Sequence, residues 1–285
     1  MRSRRIRSFL MKPVCLVLAL SAVCFAQAIV TVPDKTFEFH SGFWFNLDRF
    51  LYEQALADPA HDAVAPEWTE ALDYYRKKFI KANPPSGEVV QLHDRLGNLE
   101  VAASLKGSAL DPGLIATLEA AAPVYRERWW PAHDRENRAW IRAVSPMLSK
   151  YSADLKRDLA SAYATRWPSM PIRVDVCEYA NWAGAYTTID PSHIFISSVA
   201  KSNQGESALE MLFHEGSHTI FQAVLDAMGS EARAQNKLYD RGWQGVPEIL
   251  DKDWKPYLEG RIDMSTAIKR LIVDYGVDAP TKARP

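Results

Sequence analysis

Residues 171–179 read PIRVDVCEY, and residues 206–228 read ESALEMLFHEGSHTIFQAVLDAM. In the first stretch Ile172, Val174 and Val176 alternate with Arg173, Asp175 and Cys177, the period of a strand with one face in a core. Shorter runs over 184–188 and 193–198, separated by the turn residues Asp190-Pro191-Ser192, predict two more strands. The second stretch has a helical period and predicts one long helix over 206–228, stopped by Gly229. Upstream, apolar residues recur every three or four positions over 45–57, 66–82, 91–105, 111–130 and 132–165, while 83–88 reads as a loop. Pro66 suits a first helical turn, and Asp111-Pro112 reads as a cap followed by proline. Beyond Gly229 the sequence predicts helices from Ser230 to about 239, over 247–258 and over 265–275. The expected fold is α+β, mainly α. A helical N-terminal lobe over 29–170 is followed by a lobe over 171–285 with a small three-stranded sheet and the long helix.

Composition is that of a globular chain: 285 residues, 47% hydrophobic, 24% charged, with 17 Pro and 13 Gly. A formal net charge of −1 lacks the basic footprint of a nucleic-acid binder, so no nucleic acid is expected as partner. Residues 1–28 carry Arg2, Arg4, Arg5, Arg7 and Lys12 with no acidic residue, then an apolar run from Val14 to Phe25, then Ala26-Gln27-Ala28. A basic head, a short apolar middle and an A-x-A exit are the parts of a secretory signal peptide, cleaved near Ala28. The expectation is an exported protein, periplasmic or secreted, with no membrane span in the mature chain. Cleavage removes five basic residues and takes the formal charge to −6; it also removes Cys15 and Cys24. Cys177 then stands without an intrachain disulfide partner, so packing must hold the fold, and the residue reads as a passive member of its strand.

Chemistry concentrates in His214-Glu215-Gly216-Ser217-His218. Four residues make a little over one helical turn, so the two imidazoles project from one face and can grip one ion. Glu215, next to the first ligand, can act as general base toward water. The flanks are apolar: Met211, Leu212 and Phe213 before, Ile220, Val224 and Leu225 after. Burying two histidines and a glutamate in such surroundings costs several kcal/mol unless a partner or a metal compensates.

The order of short strands followed by this helix resembles the zincin metallopeptidases, in which an edge strand lies beside the motif helix and pairs with an extended peptide. More narrowly, residues 175–188 (DVCEYANWAGAYTT), 208–218 (ALEMLFHEGSH) and 254–260 (WKPYLEG) look like a group of exported bacterial proteins of gluzincin type. The resemblance covers about the last 115 residues. It implies Zn2+ as cofactor, His214 and His218 as ligands, Glu215 as catalytic base, and a peptide or protein as substrate.

A hydrolytic zinc site takes a third protein ligand. The metzincin pattern requires Gly and His soon after the motif, whereas His218 is followed by Thr-Ile-Phe-Gln-Ala-Val. If the helix runs to Met228, its end lies ~15 Å past His218, and a returning helix needs as many residues to draw level with the metal. That places Asp240 ahead of Glu231 as third ligand, with the absence of any third ligand as the remaining alternative. In that case the chain is a zincin-like binding protein impaired in catalysis. Tyr186 and His193, on the strands beside the motif helix, are candidates for contacting substrate or an oxyanion, or are ordinary strand residues.

Overall fold

Period-two alternation decides how the sheet presents its faces. The computed structural model describes residues 29–57, 65–82, 84, 86–162, 166–181, 183–189, 191–227, 256 and 259–262. Its strands are β1 (Ile29–Val30), β2 (Phe37–His40), β3 (Ile172–Cys177), β4 (Ala185–Ile189) and β5 (Ser192–Ser197). They form one mixed sheet in the order β1-β2-β3-β5-β4. β2, β3 and β5 run parallel, with Phe37 opposite Ile172 and Arg173 opposite His193. β1 and β4 are antiparallel at the two edges.

The helices are α1 (Phe43–Ala57), α2 (Pro66–Tyr75), α3 (Ser86–Asn98), α4 (Pro112–Arg128), α5 (Trp130–Ala162) and α6 (Glu206–Ala227). A wider π-helical turn over Arg76–Lys81 extends α2. Asp111 caps α4 as expected, its carboxylate accepting from the Leu114 N–H at 2.9 Å. α3 starts earlier and stops earlier than the apolar spacing predicts. Gly97-Asn98 end it, and Leu99, Val101 and Leu105 belong to the turns that follow, with Val101 exposed.

One face of the sheet is mainly apolar. Phe37, Phe39, Ile172, Val174, Val176, Ile194 and Ile196 are buried against Trp140, Ile141, Val144 and Leu148 of α5 and Leu209, Leu212 and Phe213 of α6. Each such side chain contributes roughly 1.5–3 kcal/mol by leaving water. The opposite face carries Glu38, His40, Arg173, Asp175, Cys177, Tyr186, His193 and Phe195 and is covered by α1 and α3, with α2 and α4 packed outside them. The alternation therefore sorts hydrocarbon to one side and paired charge to the other.

The fold is α+β and mainly α, as the sequence predicts, with two corrections. Among the described residues the sheet has five strands, not three. Phe37-Glu38-Phe39-His40 already alternates, but four residues give too weak a period to stand out among helical neighbours. The two extra strands come from residues 29–40, expected within a helical lobe over 29–170, so the boundary at 170/171 cuts through the continuous pairing of β2 with β3. Among the described residues no helix is long and apolar enough to cross a membrane. The expected signal peptide over 1–28 and the helices expected beyond 229 lie outside the described residues.

Candidate metal centre

α6 brings the motif to the apolar face beside the β4 edge. The helix begins after Gly205, whose φ of +58° lies in the left-handed region that glycine occupies at least cost. Glu206 sits in its first turn. Leu209, Leu212, Phe213 and Ile220 point into the apolar core and fix the rotation of the helix. Gly216 is the contact point: a β-carbon there would lie 2.9 Å from the Trp167 ring and 3.4 Å from Phe37. Only a residue without a side chain lets the helix approach this closely, and that approach sets the height of the two histidines over the sheet.

With the helix so placed, His214, Glu215 and His218 each offer a ligand atom, all within 4.8 Å of one another. The imidazole rings stand edge to face with centroids 5.3 Å apart. Glu215 and His218 are buried, while His214 lies nearer solvent. One Glu215 carboxylate oxygen lies 3.8 Å from His218 Nε2. The Thr187 hydroxyl of β4 reaches the same oxygen at 2.6 Å and the Glu215 carbonyl at 3.0 Å. Ser217 donates to the His214 carbonyl at 2.7 Å.

Burial pushes the Glu215 carboxyl up to about 7, against a smaller downward pull from Thr187. Burial, and then the charge of His214, bring His218 down to about 3. His218 is therefore a neutral imidazole at physiological pH, the form that ligates metal. The two imidazoles suit zinc, which takes imidazole nitrogen, and leave the Glu215 carboxylate beside the ion rather than on it.

The other candidates separate clearly. Asp240 and Glu231 lie outside the described residues. Tyr186 and His193 do not join the motif, because successive residues of a strand face opposite ways. Thr187 faces α6, so Tyr186 faces α3, where its ring stacks on Phe195 and its hydroxyl meets His93 Nδ1 at 2.5 Å. Arg49 lies 2.9 Å from His93 Nε2. A guanidinium only donates, so Nε2 accepts, and Nδ1 carries the proton that it gives to the Tyr186 oxygen.

His193 shares that face, between Asp175 on Nε2 and Asp94, 3.2 Å from Nδ1. Arg173 continues the ladder, donating to Asp175 at 2.7 Å, Glu100 at 2.8 Å and the Gly97 carbonyl at 2.9 Å. His40 follows, 2.7 Å from Glu100 and 2.9 Å from Glu38. These residues pin α3 to the sheet. Cys177 is buried, its thiol donating to the Tyr179 carbonyl at 3.2 Å, and burial raises its pKa well above the usual thiol range.

Sequence reasoning missed Thr187. Alternation says that Tyr186 and Thr187 face opposite ways, but not which of the two meets the motif helix. No family model, no curated protein and no solved structure matches this chain.

Proposed function

We propose that this chain is an exported zinc metallohydrolase of zincin type acting on peptides, with His214 and His218 holding the ion and Glu215 as general base. The observation that carries the proposal is the group of two imidazoles and one buried carboxylate within 4.8 Å, set beside an edge strand. A bound zinc ion supplies Lewis-acid polarisation of a carbonyl and of attacking water. The protein supplies the rest. Glu215, with its pKa near neutrality, takes a proton at its carboxylate oxygen and returns it to the departing amine. The apolar wall of Leu212, Phe213 and Ile220 limits solvent behind the reacting groups.

β4 supports a peptide substrate in particular. The Ser197 N–H donates to the Gly184 carbonyl, which makes that pair a hydrogen-bonded one. By alternation Tyr186 and Thr188 bond inward to β5, while Ala185, Thr187 and Ile189 turn their backbone groups outward, the Ala185 carbonyl accepting from the Asn181 amide at 2.9 Å. Among the described residues no strand pairs on that side, so an extended peptide can add to the sheet there.

The test is metal analysis of zinc-replete protein together with Glu215→Gln. Stoichiometric zinc, and hydrolysis of a quenched fluorescent casein lost by roughly 100-fold or more in the variant, would support the proposal. A protein that takes up no zinc would defeat it. The outward edge of β4 also favours a second reading, a non-catalytic peptide-binding protein, which would show peptide binding indifferent to chelators.

A further inference from the structure

We infer that Thr187 is the positioning residue of this centre, joining the strand that receives substrate to the carboxylate that acts on it; the inference rests on the function proposed above. Three observations on one residue carry it. The Thr187 hydroxyl lies 2.6 Å from the Glu215 carboxylate and 3.0 Å from the Glu215 carbonyl, so its single hydrogen can serve either the side chain or its own stretch of helix. The Thr187 backbone faces outward from the β4 edge, where a paired peptide would take its register. And among the described residues no other hydrogen bond to that buried carboxylate is seen, the His218 ring standing 3.8 Å away.

The chemistry of a hydroxyl suits the task. It donates to a carboxylate and accepts from a carboxylic acid, so the contact persists before and after Glu215 takes a proton. When it accepts from the acid, its own hydrogen can turn to the Glu215 carbonyl, the second partner already in reach. A peptide that pulls on the outward edge of Thr187 thereby acts on the orientation of the base through a single residue.

The residue identities make a sharp test. Thr187→Val keeps the shape and the strand propensity and removes only the hydroxyl, so a role confined to strand packing predicts an unchanged kcat. Thr187→Ser keeps the hydroxyl. With quenched fluorescent casein as substrate, Thr187→Val should lower kcat roughly 10- to 100-fold, in the range of residues that orient catalytic groups, with KM and zinc content unchanged. Thr187→Ser should recover most of that loss.

A second readout needs neither substrate nor metal. In chelator-treated protein, Thr187→Val should lower the Tm by about 2–6 °C in the wild-type background and far less beside Glu215→Met, which removes the acceptor at similar volume. A wild-type protein that does not hydrolyse casein overturns the proposed function but leaves this cycle to decide the contact. Additive Tm losses, a Thr187→Ser variant as impaired as Thr187→Val, or a defect confined to zinc content would each overturn the positioning role.

Discussion

Asp175 and Glu215 are buried carboxylates on opposite sides of one sheet, and their environments drive them in opposite directions. Burial alone would raise both. Asp175 meets His193 and Arg173, and those hydrogen bonds and charges bring it down to about 2. Glu215 meets one neutral hydroxyl, and burial carries it up to about 7. The sheet face around Asp175 supplies charge partners along a ladder from Glu38 to Asp94 of α3; among the described residues the hydrocarbon core around Glu215 contributes none. A satisfied buried charge fastens elements together, whereas an under-compensated one is poised for proton transfer. The contrast sets the polar cluster that fastens the fold apart from the one proposed to react.

The largest effect should come from breaking the ladder. Asp175→Asn leaves Arg173 and His193 facing each other without the intervening charge, in a position with no solvent exposure. Loss of one partner from a buried network costs about 3–5 kcal/mol. Urea unfolding at pH 7 measures it, and a loss under about 1 kcal/mol would show that the ladder does not hold α3 to the sheet.

Glu215→Gln should act with the opposite sign. The folded pKa of Glu215 lies above its ordinary 4.5, so its stabilising contribution is complete below pH 4.5 and is lost as pH rises through about 7. The glutamine does not titrate. In chelator-treated protein the stability of the variant relative to wild type should therefore grow by about 3 kcal/mol between pH 4.5 and pH 8, from 1.36 kcal/mol per unit. A difference that stays flat across that range would mean that Glu215 is solvated.

Asp175 gives the mirror profile at a different pH. Its folded value lies below the ordinary 3.8, so its contribution is present above pH 3.8 and disappears as pH falls through about 2. Wild-type protein should lose about 2 kcal/mol over that interval beyond what Asp175→Asn loses. Equal losses in the two proteins would remove the cationic partners as the cause.

How much of this was legible beforehand follows the same division. The α6 helix, the Asp111 cap, strands β3 to β5 and the pairing of His214 with His218 all rest on local period, and sequence carries local period directly. What was not legible depends on pairing across long stretches of chain. β2 joins β3 from more than 130 residues away, and its four residues announce little by themselves. Tyr186 and His193 are chemically plausible partners for a metal centre, but which face they occupy depends on how β4 and β5 meet α6. Thr187 was passed over because a threonine in a strand is unremarkable until the residue opposite it is known.

Gly216 yields the smallest effect and the most local test of how the reactive face is built. In an exposed helix, replacing glycine by alanine gains up to about 1 kcal/mol. At Gly87, near the start of α3, a β-carbon meets nothing within 4 Å, so Gly87→Ala should be neutral or slightly stabilising. At Gly216 the new carbon would approach the Trp167 ring to 2.9 Å, and a partly buried indole packed between Phe37 and Phe213 cannot swing aside cheaply. Overpacking of this kind costs roughly 1–3 kcal/mol, enough to cancel or reverse the helical gain, for a net loss of about 1 kcal/mol. The helix must lift to admit the methyl group, which carries Glu215 away from Thr187, so the variant should lose more casein hydrolysis than its stability alone explains. If Gly216→Ala is as stable as Gly87→Ala and fully active, the close approach of α6 to the sheet does not set the geometry of the centre.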